Sequence, residues 1–419
     1  LKFFARDFRE SYVYRMKQDR KVFRLQGKIQ YYAWGGASYL PQLLHLPNPE
    51  GRPFAEYWMG AHDNAPAEIE GGALNEVIGK DVRETLGEYT AGRFGRLPYL
   101  LKILDVRGML SIQVHPTKRD AELEFAAENK RGVPLDAAER NYKDDNHKPE
   151  LMVALSEMWL LHGFKPEEQL AQTLESVPEL AFLTPVFEKK GYQGLYQAVM
   201  EMPQPEVNAV LGPLLKRIIP AYKEGGLKKN MEDFWAARAA LTYDHPDRID
   251  RGIFSIYFFN VLNMHPGEAI FQDAGQPHAY LEGQNVEIMA NSDNVLRGGL
   301  TPKHVDVSEL QKHIRFEATH PHILPGEHAP GRIAVFKTPA PDFELSRISL
   351  QKGELLKLTA HSAEIFIVMD GETEVVEAGA EGFSRKAGES FIAFCGATFD
   401  LNAREDTIVY RAAVPAETA

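Results

Sequence analysis

The sequence predicts a mainly β protein: a β-rich body, an inserted helical unit and a second β unit. Three observations carry this. Short apolar runs broken by Gly and Pro fill the first third of the chain and return near its end. Between residues 166 and 241, Leu, Ala, Glu and Lys instead recur at three- and four-residue spacing. Asp370-Gly371, a hairpin turn signal, follows a run in which Glu364, Phe366 and Val368 alternate with small or aliphatic residues. At 419 residues the chain outgrows a single expanding core, so two or three units are expected.

In chain order, Tyr32-Ala33-Trp34-Gly35-Gly36 and Tyr57-Trp58-Met59-Gly60 suit strands that meet tight turns. The runs 97–104 and 109–115 read as buried strands, the second ended by Pro116. The helical stretch carries the stripes Leu170, Leu174, Val177 and Met231, Phe234, Trp235, Ala239. Leu211-Gly212-Pro213 predicts a break within it. Strand-like text resumes at 253–259, and residues 353–412 read as a sandwich or jelly roll.

The formal net charge is -12, a mean field that repels nucleic acid and anionic membranes. A small anion is compatible with local Lys and Arg, because salt screens the diffuse charge. The single cysteine, Cys395, excludes disulfides within the chain and cysteine-rich zinc sites. Any metal must therefore be held by His, carboxylate or amide groups. There is no apolar run of membrane-spanning length and no signal-peptide pattern, so a cytoplasmic location is expected. Met16 reads as a start, with residues 1–15 an extension.

Three segments carry chemistry. In Gln113-Val114-His115 the first and last residues share a face of a strand, so an amide oxygen and an imidazole can meet one ion. A hydrogen-bonded core histidine is the plainer reading of the same pattern. The charged run 141–150 ends at Glu150 and passes directly into Leu151-Met152-Val153, placing a carboxylate at the mouth of a core strand, where it needs a partner. In Gln276-Pro277-His278-Ala279-Tyr280, His278 and Tyr280 share a face. Two His, one Glu and one Gln suffice for an N/O zinc site with room for substrate, at a complex charge of about +1. Spacing permits this assembly without requiring it.

With these residues the chain resembles the type I mannose-6-phosphate isomerases. The resemblance runs from about Tyr32 to Lys303 through Tyr32-Ala33-Trp34-Gly35, Ala55-Glu56-Tyr57-Trp58-Met59-Gly60, Ser111-Ile112-Gln113-Val114-His115-Pro116, residues 141–150, Pro277-His278-Ala279-Tyr280 and residues 291–303. It implies one zinc ion per chain held by Gln113, His115, Glu150 and His278. It also implies a catalytic Arg297, with catalytic or supporting roles for Glu287 and Lys148, and a phosphate grip from Ser111, Lys102 and Lys303. The implied substrate is a small phosphorylated sugar, and the implied reaction interconverts mannose 6-phosphate and fructose 6-phosphate. The implied fold is a cupin-type jelly roll (residues 16–151 and 252–320), a helical insertion (152–251) and a second cupin-like β domain (321–419). Ala33 and the stretch 61–65 depart from the family pattern. His361 and Glu364 faintly resemble a cupin metal motif without its paired His, so the second β unit is expected to be metal-free.

The proposed chemistry moves hydrogen between C1 and C2, so a cation must stabilise the developing enediolate. Arg297 suits that task, or forms a surface ion pair. Glu287 suits a base, or orients a neighbour; His147 and Lys148 are alternative proton handlers. Lys102 and Ser111 serve equally as a core-edge lysine and a strand serine. Two rival functions share the ligands: an isomerase of free aldoses, which needs no phosphate pocket, and a non-catalytic sugar-binding cupin, which needs no Arg297.

Overall fold

The computed structural model describes residues 20–325 and 332–416; the reading of Met16 as a start lies outside the described residues. The fold is mixed α/β. Its largest sheet has ten strands, with a path that runs Phe259–Met264, Met158–Phe164, His278–Ala290, Tyr99–Val106, Glu56–Gly60, Lys28–Gln30.

The 13-residue strand His278–Ala290 organises everything that follows. Its first half pairs with Met158–Phe164 and with Gln113–Val114. Its second half pairs with Tyr99–Val106 on one side and Glu150–Ala154 on the other. The change of partners falls at Gly283, with φ 130°, where a Cβ would lie 2.5 Å from the Glu157 carbonyl oxygen. Only glycine meets both demands.

The helical stretch holds Glu167–Ser176, Thr184–Met200, Gln204–Lys223 and Glu232–Thr242. The predicted break at Leu211-Gly212-Pro213 does not occur: Gln204–Lys223 runs through both Pro213 and Pro220. Leu211, Leu214, Leu215 and Ile218 are buried there, and their packing outweighs the lost backbone bonds. Helices also lie outside this stretch, at Leu74–Lys80, Val82–Leu86, Glu88–Phe94 and Lys118–Arg131. In Lys118–Arg131 only Ala121 and Glu128 are buried, so there is no apolar stripe to read. Its ends are local: the Thr117 side chain accepts from the Asp120 amide, and Gly132 closes it in the left-handed region.

Towards the C-terminus a six-stranded sheet faces a four-stranded one. Phe366, Phe391 and Phe399 fill the space between them, Phe366 and Phe391 stacked at 4.5 Å. The first described strand, Val22–Leu25, pairs with Ser390–Ala393 and so completes this C-terminal sheet. A single apolar core joins the sheets: Leu101, Ile103, Val286 and Ile288 of the large sheet cluster with Ile365, Ile367 and Ile392.

Candidate metal centre and active site

Three strands bring His115, Glu150 and His278 together, all buried, with one ligand atom from each within 4.8 Å of the others. His278 lies opposite Gln113 in the ladder, which places Gln113 at the same end of the sheet. His115 Nε2 is 3.4 Å from Glu150 Oε1, and His278 Nε2 is 3.2 Å from Oε2. Each ring is fixed from behind. His115 Nδ1 sits 2.8 Å from the Asn294 carbonyl, and His278 Nδ1 sits 2.9 Å from the Gln276 carbonyl. An Nδ1–H donating to a carbonyl leaves the lone pair on Nε2, aimed at the cluster.

His115 Nε2 is buried and has no hydrogen-bond partner among the described residues. A polar atom in that position carries a desolvation cost unless something else binds it. Burial draws the His115 pKa down to about 4, against the opposing pull of Glu150, so the ring is neutral at pH 7, the form that binds metal. Burial would raise Glu150, but Lys148 and His115 outweigh it and hold the carboxyl well below its usual range. Lys148 Nζ lies 2.9 Å from Glu150 Oε1.

Beside this cluster a polar ladder crosses three adjacent strands. Glu287 is in register with Lys102, and Lys102 with Trp58. Lys102 Nζ lies 3.2 Å from Glu287 and 3.4 Å from Glu56, above the Trp58 ring. The Trp58 indole N–H donates to Glu56, and the Tyr280 hydroxyl donates to Glu287 Oε2 at 2.9 Å. Burial, then the charge of Glu150, raise the Glu287 pKa against Lys102 and Lys148. Burial disfavours the Lys102 cation, but Glu56 and Glu287 outweigh it and keep the ammonium charged. Together the buried groups comprise three carboxylates (Glu56, Glu150, Glu287) and two ammoniums (Lys102, Lys148), a formal excess of one negative charge. A bound cation removes that excess and satisfies the orphan nitrogen, so these residues fit a divalent metal.

A model of the "Phosphomannose isomerase type I, catalytic domain" family matches residues 22–167. Mannose-6-phosphate isomerase of Escherichia coli is 37% identical over 381 residues, covering 88% of this chain and 94% of that protein. The chain belongs to the type I phosphomannose isomerases. The Bos taurus mannose-6-phosphate isomerase is 32% identical over 431 residues, covering 94% of this chain and 98% of its own. The Salmonella typhimurium enzyme, crystallised with fructose 6-phosphate and zinc, superposes with a TM-score of 0.84 at 33% identity, covering 95% of this chain and all of that one.

In this family member Arg297 is half-buried on the short strand Leu296–Arg297, in register with Gln113. It has no carboxylate within ion-pair distance among the described residues, so the surface ion-pair reading has no partner to support it. Burial lowers its pKa. Lys303 is exposed, and its pKa is lowered by partial burial and by Arg297. These two form a cationic rim without a counter-ion among the described residues. Ser111 is half-buried two residues before Gln113. Lys102 is different: it is buried between two carboxylates. His147 is paired elsewhere, 2.8 Å from the buried Asp342.

Sequence reasoning passed over Glu56, Trp58 and Asp144. Asp144 accepts from the Ser292 hydroxyl at 2.7 Å and the Asp293 amide at 2.7 Å, while the Asn294 amide group donates to the Asn146 carbonyl at 2.9 Å. The Asn294 side-chain oxygen accepts from the Lys143 amide at 2.7 Å. This stitching fixes the carbonyl that holds His115. The dense polar text at 141–150 and 291–294 was its only signal.

Proposed function

We propose residue roles for the interconversion of mannose 6-phosphate and fructose 6-phosphate, which this chain catalyses with one zinc ion per chain at His115, Glu150 and His278. The observation that carries this reading is the orphaned His115 Nε2 inside a buried cluster with surplus negative charge. Gln113, on the neighbouring strand position, completes a four-ligand set. Bound zinc supplies Lewis acidity toward an oxygen of the sugar and fixes its position.

The chain's own residues do the rest. Arg297, half-buried and unpaired, donates to the oxygen where negative charge develops as the C–H proton leaves. Glu287 takes that proton from one carbon and returns it to the other; burial makes it a stronger base than an exposed carboxylate. Tyr280 and Lys102 hold its two oxygens in place. Lys148 orients Glu150 and handles the proton exchanged in ring opening. Lys303 and Ser111 bind the phosphate, anchoring the sugar away from the reacting carbons. Lys102 also stood among the expected phosphate ligands. Its two carboxylate partners favour a role in holding Glu287.

Coupled assay of mannose 6-phosphate conversion, run against free mannose on protein of measured zinc content, tests the assignment. Full activity without bound metal, or equal turnover of free mannose, would overturn it.

We further read the sheets as cupin-type jelly rolls divided as 16–151 with 252–320, 152–251 and 321–419, with Val22–Leu25 lent to the last unit. The Phe-filled pairing of a six- and a four-stranded sheet supports the second jelly roll. Cytoplasmic residence is part of the same reading. It is compatible with the finding that no helix among the described residues is long and apolar enough to cross a membrane.

A further inference from the structure

Glu56 and Trp58 face the reaction site, and Tyr57 between them points to the opposite face of the sheet. There it lines a cavity of about 510 Å³ at the junction of the large sheet with the C-terminal hairpin. Arg24 and Arg385 line the same cavity, their guanidiniums leaning on the Phe383 ring at 5.3 and 5.0 Å. Arg385 is 8% exposed, and its Nε is buried without a hydrogen-bond partner among the described residues. Arg24 has no carboxylate within ion-pair distance among the described residues. The acids of the wall already have partners. Glu68 meets Lys28 at 2.6 Å, Glu70 meets Arg20 at 3.4 Å, and Glu389 accepts from the Lys386 amide at 3.0 Å and meets Arg385 at 3.4 Å.

We propose that this junction cavity is a second anion site, remote from the metal, that binds a phosphate monoester carried on an uncharged polar body. Arg24, and the part of the Arg385 guanidinium that reaches the wall, offer donors to one phosphoryl group from the same cavity. Glu68 and Glu70 line the remainder and disfavour a second charged group, so a sugar phosphate fits better than a polyphosphate. The volume suits a ligand of that size.

Calorimetric titration of the zinc-loaded enzyme with fructose 6-phosphate tests this. Two binding events per chain are expected. Arg24 is exposed, so R24E changes the charge without disturbing the core; it should weaken one event by about tenfold or more. R385Q, checked for folding by circular dichroism, should weaken the same event, and inorganic phosphate should compete for it. Lys303→Ala should weaken only the other event; if it weakens neither, the reaction-site reading is at fault while the R24E result stands by itself. A single event in the unaltered enzyme, a second event untouched by both arginine substitutions, or failure of inorganic phosphate to compete overturns the proposal.

Discussion

Two regions of this molecule build a His–Glu cluster on β-strands, and only one is equipped for a metal. At Glu150 both oxygens face imidazole nitrogens, and one of those nitrogens is otherwise unsatisfied. At Glu364 the Arg411 guanidinium takes both oxygens at 2.7 Å, and His361 packs alongside at 3.0 Å. His361 Nε2 in turn meets the Val414 carbonyl at 2.8 Å. A guanidinium is a covalently tethered cation with fixed donors, so the second cluster is neutralised by the chain itself. The first has the Lys148 ammonium 2.9 Å from Glu150, but its buried carboxylates still outnumber its ammoniums, and that excess is left to an ion. Residue type is shared; what differs is whether the sequence supplies enough positive charge of its own to balance the carboxylates at the centre.

The sharpest way to break this contrast is to remove one histidine from each cluster. His278→Ala should lose bound zinc and lower kcat/KM by about a thousandfold or more. His361→Ala should keep both zinc content and activity. Metal analysis beside the coupled assay decides, and zinc lost from the His361 variant would erase the distinction.

Arg297→Ala comes next. The unpaired cation acts on charge that develops during reaction, so kcat should fall about 10²–10³-fold with zinc retained and KM changed less. Arg411→Met makes the corresponding change in the other region. It strands the buried Glu364 carboxylate, so stability should fall by roughly 3 kcal/mol while kcat holds. Urea unfolding followed beside activity separates these outcomes; a drop in kcat with stability intact would reverse the assignment.

Lys303→Ala should raise KM for mannose 6-phosphate about tenfold with little loss of kcat, and narrow the preference over free mannose. Steady-state kinetics on both sugars would show whether the phosphate is held there.

The smallest effect concerns pH. The hydrogen bond to Glu364 raises the His361 pKa above its ordinary 6.5, against partial burial. Its folded-state value exceeds the unfolded one, so its contribution is fully present below about pH 6.5 and is lost as pH rises through the folded pKa. Melting temperature should therefore decline slightly over that interval, and the decline should be absent in His361→Ala.

Much of this was legible in the sequence because it was periodic or local. Alternation marked the strands, and the i, i+2 spacing put Gln113 and His115 on one face. Arg297 stood out in a Gly-flanked polar motif. What escaped was set by register between distant strands. Nothing near Lys102 in the chain reveals that Glu287 lies opposite it and Glu56 beside it. Pro213 misled for a related reason: local backbone chemistry predicts a break, while buried leucines on both sides of it hold the helix together.

The separation of Glu150 and His278 by 128 positions has a consequence during synthesis. The helical stretch between them must emerge from the ribosome before the third buried ligand does. A nascent chain short of residue 278 therefore holds at most a carboxylate and one imidazole of the buried trio, too few to retain zinc tightly. Metal capture belongs to the last third of chain growth, after the helical excursion can fold, and long-range strand pairing rather than metal chelation must guide the early assembly.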